Sequence, residues 1–90
     1  MLNNSYTVMD GAVMARLCRI LSEGYVWCEE RGDVAAAVRA LGLDLYQPEA
    51  YHPLVELYHL LERCGSRQRI RLSLAQREAI SHAMDVLEPC

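Results

Sequence analysis

One apolar stretch near the start of the chain constrains the fold more than any other feature. Residues 12–28, AVMARLCRILSEGYVWC, contain twelve hydrophobic residues out of seventeen. At about 100° per residue these side chains fill an arc of roughly 180°, whereas a surface helix usually has an apolar stripe only a little wider than about 100°. The main members of the arc are Trp27, Ile20, Val13, Leu17, Cys28, Leu21, Met14, Tyr25 and Cys18. We expect one helix here, with more apolar surface than a small domain can cover by itself.

Apolar spacing and helix-end signals predict three further helices. Pro53 suits the first turn of a helix, and Ser73 with Gln76 forms a capping box. The four predicted helices cover residues 11–31, 34–41, 53–64 and 74–88. No segment shows a convincing strand pattern. The predicted fold is all-α: a single domain over residues 1–90, a small bundle of about four helices, one of them short, with a flexible arm at residues 1–9. We expect a partner or a second copy to complete the bundle.

Two glycines are interpreted by their positions relative to these helices. Gly24 lies inside the first predicted helix, where glycine costs about 1 kcal/mol relative to alanine, so we expect another helix to approach closely there. Gly32 is expected to end the first helix and Asp33 to cap the second.

The sequence favours a cytoplasmic location. Arg16, Arg19 and Glu23 interrupt the longest apolar stretch, which keeps it short of the roughly 18 apolar residues of a membrane span. The N-terminal residues contain no basic region typical of a signal peptide. All nine basic residues are arginine, which suggests a GC-rich bacterial or phage genome.

The cysteines are interpreted as small packing residues. Cys18 and Cys28 would lie about 15 Å apart on one helix, beyond the range of a disulfide. Cys64 falls on an apolar stripe and Cys90 follows a proline at the end of the chain. None of the four forms a CxxC pair, so free thiols are expected.

The only concentration of positive charge is the segment from Arg67 to Arg71. It carries three arginines, while the rest of the chain has six arginines against twelve acidic residues. Such a strip can contact an acidic protein or a nucleic acid. It can also be a solvated loop whose arginines pair with the chain's own carboxylates, for example those of Glu62 and Glu78.

Other activities find less support in the sequence. Residues 32–58 resemble the first half of a helix-turn-helix, but the stretch between Arg39 and Arg63 is acidic where a DNA reader needs basic side chains. The series His52, Glu56 and His59 places three metal-ligand types on one helix face, yet the two imidazoles are seven residues apart. We therefore predict no metal and no cofactor, and we favour a protein over a nucleic acid as the partner. The sequence also lacks a nucleophile elbow and a glycine-rich phosphate loop, so no enzyme is predicted.

The remaining class is a protein that acts by binding another protein. Tyrosine, tryptophan and arginine suit interfaces, and the wide apolar face needs cover. We expect a small regulator or inhibitor that occludes a partner, for example an antiactivator of a transcription factor or a phage-type inhibitor of a host complex, and a homodimer when that partner is absent. The alternatives are a nucleic-acid-binding regulator and a structural subunit of a larger assembly. The predicted protein-binding residues are Val13, Leu17, Ile20, Leu21, Gly24, Trp27, Arg67, Arg69 and Arg71.

Overall fold

Gly24 ends the first helix well before the point that the apolar pattern predicts. In the computed structural model, which describes residues 11–46 and 52–87, helix α1 spans Gly11–Glu23. Gly24 has a φ of 80°, a left-handed conformation that glycine adopts without steric strain, and its N–H donates to the carbonyl of Ile20 at 2.8 Å. The single helix predicted over residues 11–31 is therefore wrong. Gly24 terminates a helix, and no second helix has to approach it.

The chain continues from Gly24 into a two-stranded antiparallel ribbon. Strand β1 is Tyr25–Trp27 and strand β2 is Arg69–Arg71. The paired residues are Tyr25 with Arg71, Val26 with Ile70, and Trp27 with Arg69. The prediction of no strand is wrong, because three-residue strands are too short to show a clear alternation of apolar and polar residues.

Three more α-helices follow in the described part of the chain. A 3₁₀ turn, Cys28–Glu30, connects β1 to α2, and the helices are α2, Arg31–Ala40; α3, Pro53–Arg63; and α4, Leu74–Leu87. Gly32 and Asp33 both lie in the first turn of α2, so neither ends one helix nor caps the next as predicted. Among the described residues, no helix has the length and apolar character needed to cross a membrane.

The start signals predicted for α3 and α4 are confirmed. Pro53 is the first residue of α3, and the Nδ1 atom of His52 accepts a hydrogen bond from the N–H of Leu54. Before α4, the N–H of Ser73 donates to Oε1 of Gln76 at 2.8 Å, and the N–H of Gln76 donates to Oγ of Ser73 at 3.1 Å. This reciprocal pair satisfies two helix N–H groups that otherwise have no partner within the helix.

The core lies between the helices, with α2 packed against α3 and α4, and α1 packed against α4 and α2. Leu17 and Ile20 of α1 have no exposed surface. The other fully buried apolar residues are Val26, Val34, Ala37, Val38, Leu54, Leu57, Leu61, Ile80 and Ala83. The chain therefore covers the centre of its own apolar arc, which removes the reason for expecting a partner or a second copy on α1.

A disulfide joins two of the four cysteines. Cys28, directly after β1, is bonded to Cys64, directly after α3, with their Cα atoms 6.2 Å apart. The prediction of packing thiols is wrong for this pair. For Cys18 the free thiol is confirmed, but the packing role is wrong because this cysteine is exposed. Cys90 and the predicted arm at residues 1–9 lie outside the described residues.

Candidate protein-binding surface

Side chains of both strands alternate between the two faces of the ribbon. Side chains alternate along a strand, and directly opposed residues share a face. Val26 is fully buried and Ile70 packs against the core. Tyr25 and Trp27 of β1 are half-buried on the other face, where Arg69 and Arg71 of β2 are exposed. The ribbon thus presents two aromatic rings and two guanidinium groups side by side.

The guanidinium groups lie over the aromatic rings. The Cζ atom of Arg69 is 4.2 Å from the ring centroid of Tyr25 and 5.5 Å from that of Trp27. Arg71 has its Cζ 5.5 Å from the Tyr25 centroid, and its Nη2 donates to the Tyr25 hydroxyl at 3.4 Å. These contacts restrain each guanidinium, which has further N–H donors for a ligand. A restrained fork of donors suits bidentate binding of a carboxylate.

A turn anchors one end of the ribbon. The N–H of Cys28 donates to the carbonyl of Gln68 at 2.9 Å, and the disulfide of Cys28 holds the start of the same turn. Arg67, within the turn, has a φ of 65°, and its N–H donates to Oε2 of Glu29 at 2.8 Å. That hydrogen bond lowers the pKa of the Glu29 carboxyl, so Glu29 stays ionised and keeps the turn in place at neutral pH.

A further arginine lies at the other end of the ribbon. A Cβ atom built on Gly24 would be 2.5 Å from Nη2 of Arg77, so the Arg77 side chain from α4 covers the backbone where β1 begins. The same end is closed by a hydrogen bond from the N–H of Leu72 to the carbonyl of Gly24, at 2.9 Å. We refer to Tyr25, Trp27, Arg67, Arg69 and Arg71 as the arginine–aromatic face, with Arg77 at its border.

The nearby carboxylates bind backbone N–H groups, as Glu29 does at Arg67, or arginines outside the arginine–aromatic face. Glu30 accepts hydrogen bonds from the Trp27 N–H, at 3.0 Å, and from the Arg19 guanidinium. Asp33 pairs with Arg16. The ion pairs found among the described residues involve Arg16 and Arg19, and none involves an arginine of the arginine–aromatic face. The expected pairing of the strip with Glu62 or Glu78 is therefore not found there. The Glu29 carboxylate attracts the charge of Arg67, and the charges of Arg69 and Arg71 are left available to a partner.

The predicted binding residues divide into two groups. The structure brings Trp27 into contact with Arg69 and places Arg71 on the same strand and Arg67 in the adjoining turn, although Trp27 and the arginines are far apart in the sequence. Tyr25 completes this face and was missed as a site residue, because the pairing of Tyr-Val-Trp with Arg-Ile-Arg is not visible in segments of three residues. The residues predicted from α1 and its end lie elsewhere: Leu17, Ile20 and Gly24 are buried, and Val13 and Leu21 are half-buried against the core.

The three metal-ligand types on α3 have local structural roles. His52 caps the helix through Nδ1, and Nε2 of His59 lies 2.6 Å from the carbonyl oxygen of Leu45. Glu56 is exposed one turn after His52. Within residues 11–46 and 52–87, no group of three or more metal-ligating side chains is placed to hold an ion.

A second aromatic cluster connects the turn after α2 to α3. Tyr46 stacks on the His59 ring with centroids 5.7 Å apart, and its hydroxyl donates to Oε2 of Glu62 at 2.8 Å. Hydrogen bonds with Tyr58 and Glu62 raise the pKa of Tyr46 above its usual range. Because these polar groups bind each other, we interpret the cluster as packing that fixes the turn.

Comparison of the chain with protein-family models, with curated proteins and with solved structures finds no match. Function therefore has to be inferred from the chemistry of the surface itself.

Proposed function

We propose that this chain is a small protein-binding regulator or inhibitor, which occludes an acidic surface of a partner protein with its arginine–aromatic face. The observation that carries the proposal is the contact of Arg69 with the Tyr25 and Trp27 rings and of Arg71 with the Tyr25 ring, without an ion pair to any described carboxylate. Tyrosine, tryptophan and arginine are the residue types that dominate binding energy at protein interfaces.

Arg69 and Arg71 are restrained before a partner binds, which favours binding of a protein by this face. A free arginine loses side-chain freedom when it binds, at a cost of about 0.5–1.5 kcal/mol for each immobilised side chain. The rings of Tyr25 and Trp27 restrain Arg69 and Arg71 in advance, and Tyr25 is also bonded to Arg71 through its hydroxyl. Arg69 and Arg71 therefore lose less side-chain freedom when a partner carboxylate binds the exposed edge of their guanidinium groups.

Nucleic acid is the alternative ligand, since aromatic rings and arginines also bind single strands. Two observations favour protein. Arg69 lies over the Tyr25 ring, on which a base would otherwise stack. Glu29 and Glu30 lie directly after β1, so the positive charge does not continue along the path that a phosphate backbone would need, whereas a pair of carboxylates needs only Arg69 and Arg71.

The proposal is tested by capture of a partner with two charge-matched variants. Arg69→Gln/Arg71→Gln removes two charges from the arginine–aromatic face. Arg39→Gln/Arg63→Gln removes two charges from exposed positions on α2 and α3 and serves as the control. Each protein is cross-linked in extract of the native host, and the captured proteins are identified by mass spectrometry.

We expect a partner that the native chain and the control capture and that the ribbon variant loses. The purified partner should then bind the ribbon variant at least about tenfold more weakly by calorimetry, since hydrogen bonds to charged groups contribute about 1.5–3 kcal/mol each. Equal binding of the partner by both variants would show that another surface is used. Salt-sensitive binding of a DNA or RNA strand that only the ribbon variant loses would favour nucleic acid as the ligand.

The homodimer predicted from the sequence remains a separate proposal. Its original basis, a wide apolar face on α1, is lost with the burial of Leu17 and Ile20. Light scattering over a range of concentrations decides it.

A further inference from the structure

The outer edge of β2 carries backbone groups that face away from the ribbon. In an antiparallel pair, opposed residues alternate between pairs that exchange two hydrogen bonds and pairs that exchange none. The N–H of Leu72 donates to the carbonyl of Gly24, and the N–H of Cys28 donates to the carbonyl of Gln68, so these are two hydrogen-bonded pairs. Both lie two residues from the Val26–Ile70 pair in the same register, and that pair is therefore hydrogen-bonded as well. The backbone groups of Val26 and Ile70 therefore face each other.

It follows that the N–H and C=O groups of Arg69 and Arg71 point outward from β2. The corresponding edge of β1 is already used in part, because the Trp27 N–H donates to Glu30. Both arginines are exposed. In the described part of the chain, β2 thus has an open edge on which the peptide groups of two residues face outward. This edge lies directly beside the guanidinium groups of Arg69 and Arg71, for which no ion pair is found among the described residues.

We infer that this edge of β2 receives an extended acidic segment of the partner protein as a third, antiparallel strand. The inference rests on the proposed function and specifies how the partner is recognised. An added strand places the residues opposite Arg69 and Arg71 on the same face as these arginines. Acidic residues at those two alternate positions would form hydrogen bonds with the β2 backbone and ion pairs with the guanidinium groups.

The residue between the two acidic positions meets a different surface. Its side chain points to the opposite face, beside Ile70, which is half-buried against the core. A β-branched apolar residue fits this position, because it covers the exposed part of Ile70 and favours the extended conformation. The structure therefore selects an alternating acidic and apolar sequence.

The charge of β2 argues against a second copy on the same edge. Antiparallel pairing of two β2 strands about Ile70 would place Arg69 of one chain opposite Arg71 of the other. Like charges directly opposite each other destabilise strand pairing, and charged short edges are a common protection against self-association. The same two arginines that repel a copy attract an acidic strand.

The test uses the whole chain and a fluorescent peptide in which valine and glutamate alternate. Two further peptides carry backbone N-methyl groups. In one the glutamates are methylated, which removes the N–H donors directed at β2; in the other the valines are methylated, which removes N–H groups directed at solvent. Charge and composition are otherwise unchanged, so the second methylated peptide is the matched control.

We expect the unmodified and valine-methylated peptides to bind alike by fluorescence anisotropy, and the glutamate-methylated peptide to bind about tenfold more weakly or worse, because two backbone hydrogen bonds are lost. By NMR, the amide protons of Arg69 and Arg71 should exchange more slowly when the peptide is bound. Light scattering should show one chain per peptide, with no peptide-independent dimer.

Three results would overturn the inference. Equal binding of the two methylated peptides, with loss of binding in Arg69→Gln/Arg71→Gln, would mean that side chains alone recognise the acid; strand addition would be wrong and the proposed function would stand. No binding of the unmodified peptide would also reject strand addition, and the partner capture above then decides the proposed function separately. A dimer that excludes the peptide from β2 would show that a second copy occupies the edge.

Discussion

The carboxylate of Asp33, in the first turn of α2, accepts a hydrogen bond from Nε of Arg16 on α1 at 2.9 Å. The two side chains differ in exposure, 9% for Asp33 and 46% for Arg16. Loss of Asp33 leaves an arginine that can reach water, whereas loss of Arg16 leaves a buried carboxylate without this partner. Asp33 therefore depends on Arg16 more strongly than Arg16 depends on Asp33.

We expect Arg16→Ala to lower the free energy of unfolding by about 1–3 kcal/mol and Asp33→Ala to lower it by less. Urea denaturation measures both. Arg39→Ala, at an exposed position of α2, is the control and should stay within about 0.5 kcal/mol of the native chain. A larger loss for Asp33→Ala than for Arg16→Ala would contradict this account.

Reduction of the Cys28–Cys64 disulfide should destabilise the fold. The bridge joins residues separated by 36 positions, and a closed loop of this length is worth about 4 kcal/mol in the chain-entropy model. For a domain of this size the thermal midpoint should then fall by more than about 10 °C in reductant. Differential scanning calorimetry with and without reductant measures the change.

Cys18→Ser is the control for this experiment, because Cys18 is exposed and outside the disulfide; its response to reductant should equal that of the native chain. A midpoint that does not move with reductant would mean that the bridge contributes nothing. A strong dependence would fit an oxidising compartment, in place of the cytoplasmic location predicted from the sequence.

Two glycines should respond in opposite directions to replacement by alanine. Gly24→Ala forces a side chain into a left-handed backbone with φ of 80°, which costs about 1–2 kcal/mol, and the new Cβ also displaces Arg77. Gly32 lies in the first turn of α2, and no atom lies within 4 Å of the position that a Cβ would take there, so Gly32→Ala should stabilise by about 0.5–1 kcal/mol. Urea denaturation that shifts both variants the same way would disprove the assigned roles.

The stability of α3 should decrease as His52 becomes protonated. Burial lowers the pKa of His52, so the unfolded chain binds this proton more readily than the folded chain does. The stabilisation is complete above the unfolded pKa of about 6.5 and is lost as pH falls through the lower folded pKa. Protonation of Nδ1 also removes the acceptor for the Leu54 N–H.

We therefore expect the free energy of unfolding to fall between about pH 7 and pH 5, and to fall less in His52→Asp, whose carboxylate remains a helix cap in this range. His82→Gln, at an exposed position of α4, should keep the slope of the native chain. An unchanged slope in His52→Asp would show that another group controls the pH dependence.

Local sequence signals predicted the second half of the fold well. Pro53 marks the start of α3, and the reciprocal bonds of Ser73 and Gln76 mark the start of α4. Both helices begin at the predicted residue, and α3 ends within one residue of the predicted position. These signals work because a cap satisfies backbone groups only a few residues away, so the necessary residues are all close together in the sequence.

All four predicted helices are present, but the ribbon and the disulfide were missed because their contacts join residues that are distant in the sequence. Tyr-Val-Trp fits a helix or a strand equally well over three residues, and its pairing with Arg-Ile-Arg becomes visible only in the folded chain. The disulfide between Cys28 and Cys64 was missed for the same reason, since the pairing of cysteines cannot be predicted from their spacing in the sequence. Residue type alone was enough to select Trp27 and the arginines, but it also selected Leu17 and Ile20, which the core uses.

Tyr25 and Arg71 touch across a separation of 46 residues in the chain. The proposed recognition surface is therefore discontinuous, and no excised peptide from either segment can reproduce it. A partner of this surface would engage only chains that have finished folding, and local opening between the two strands would release it. Binding would then also act as a quality check, because the proposed surface and the native state form together and are lost together.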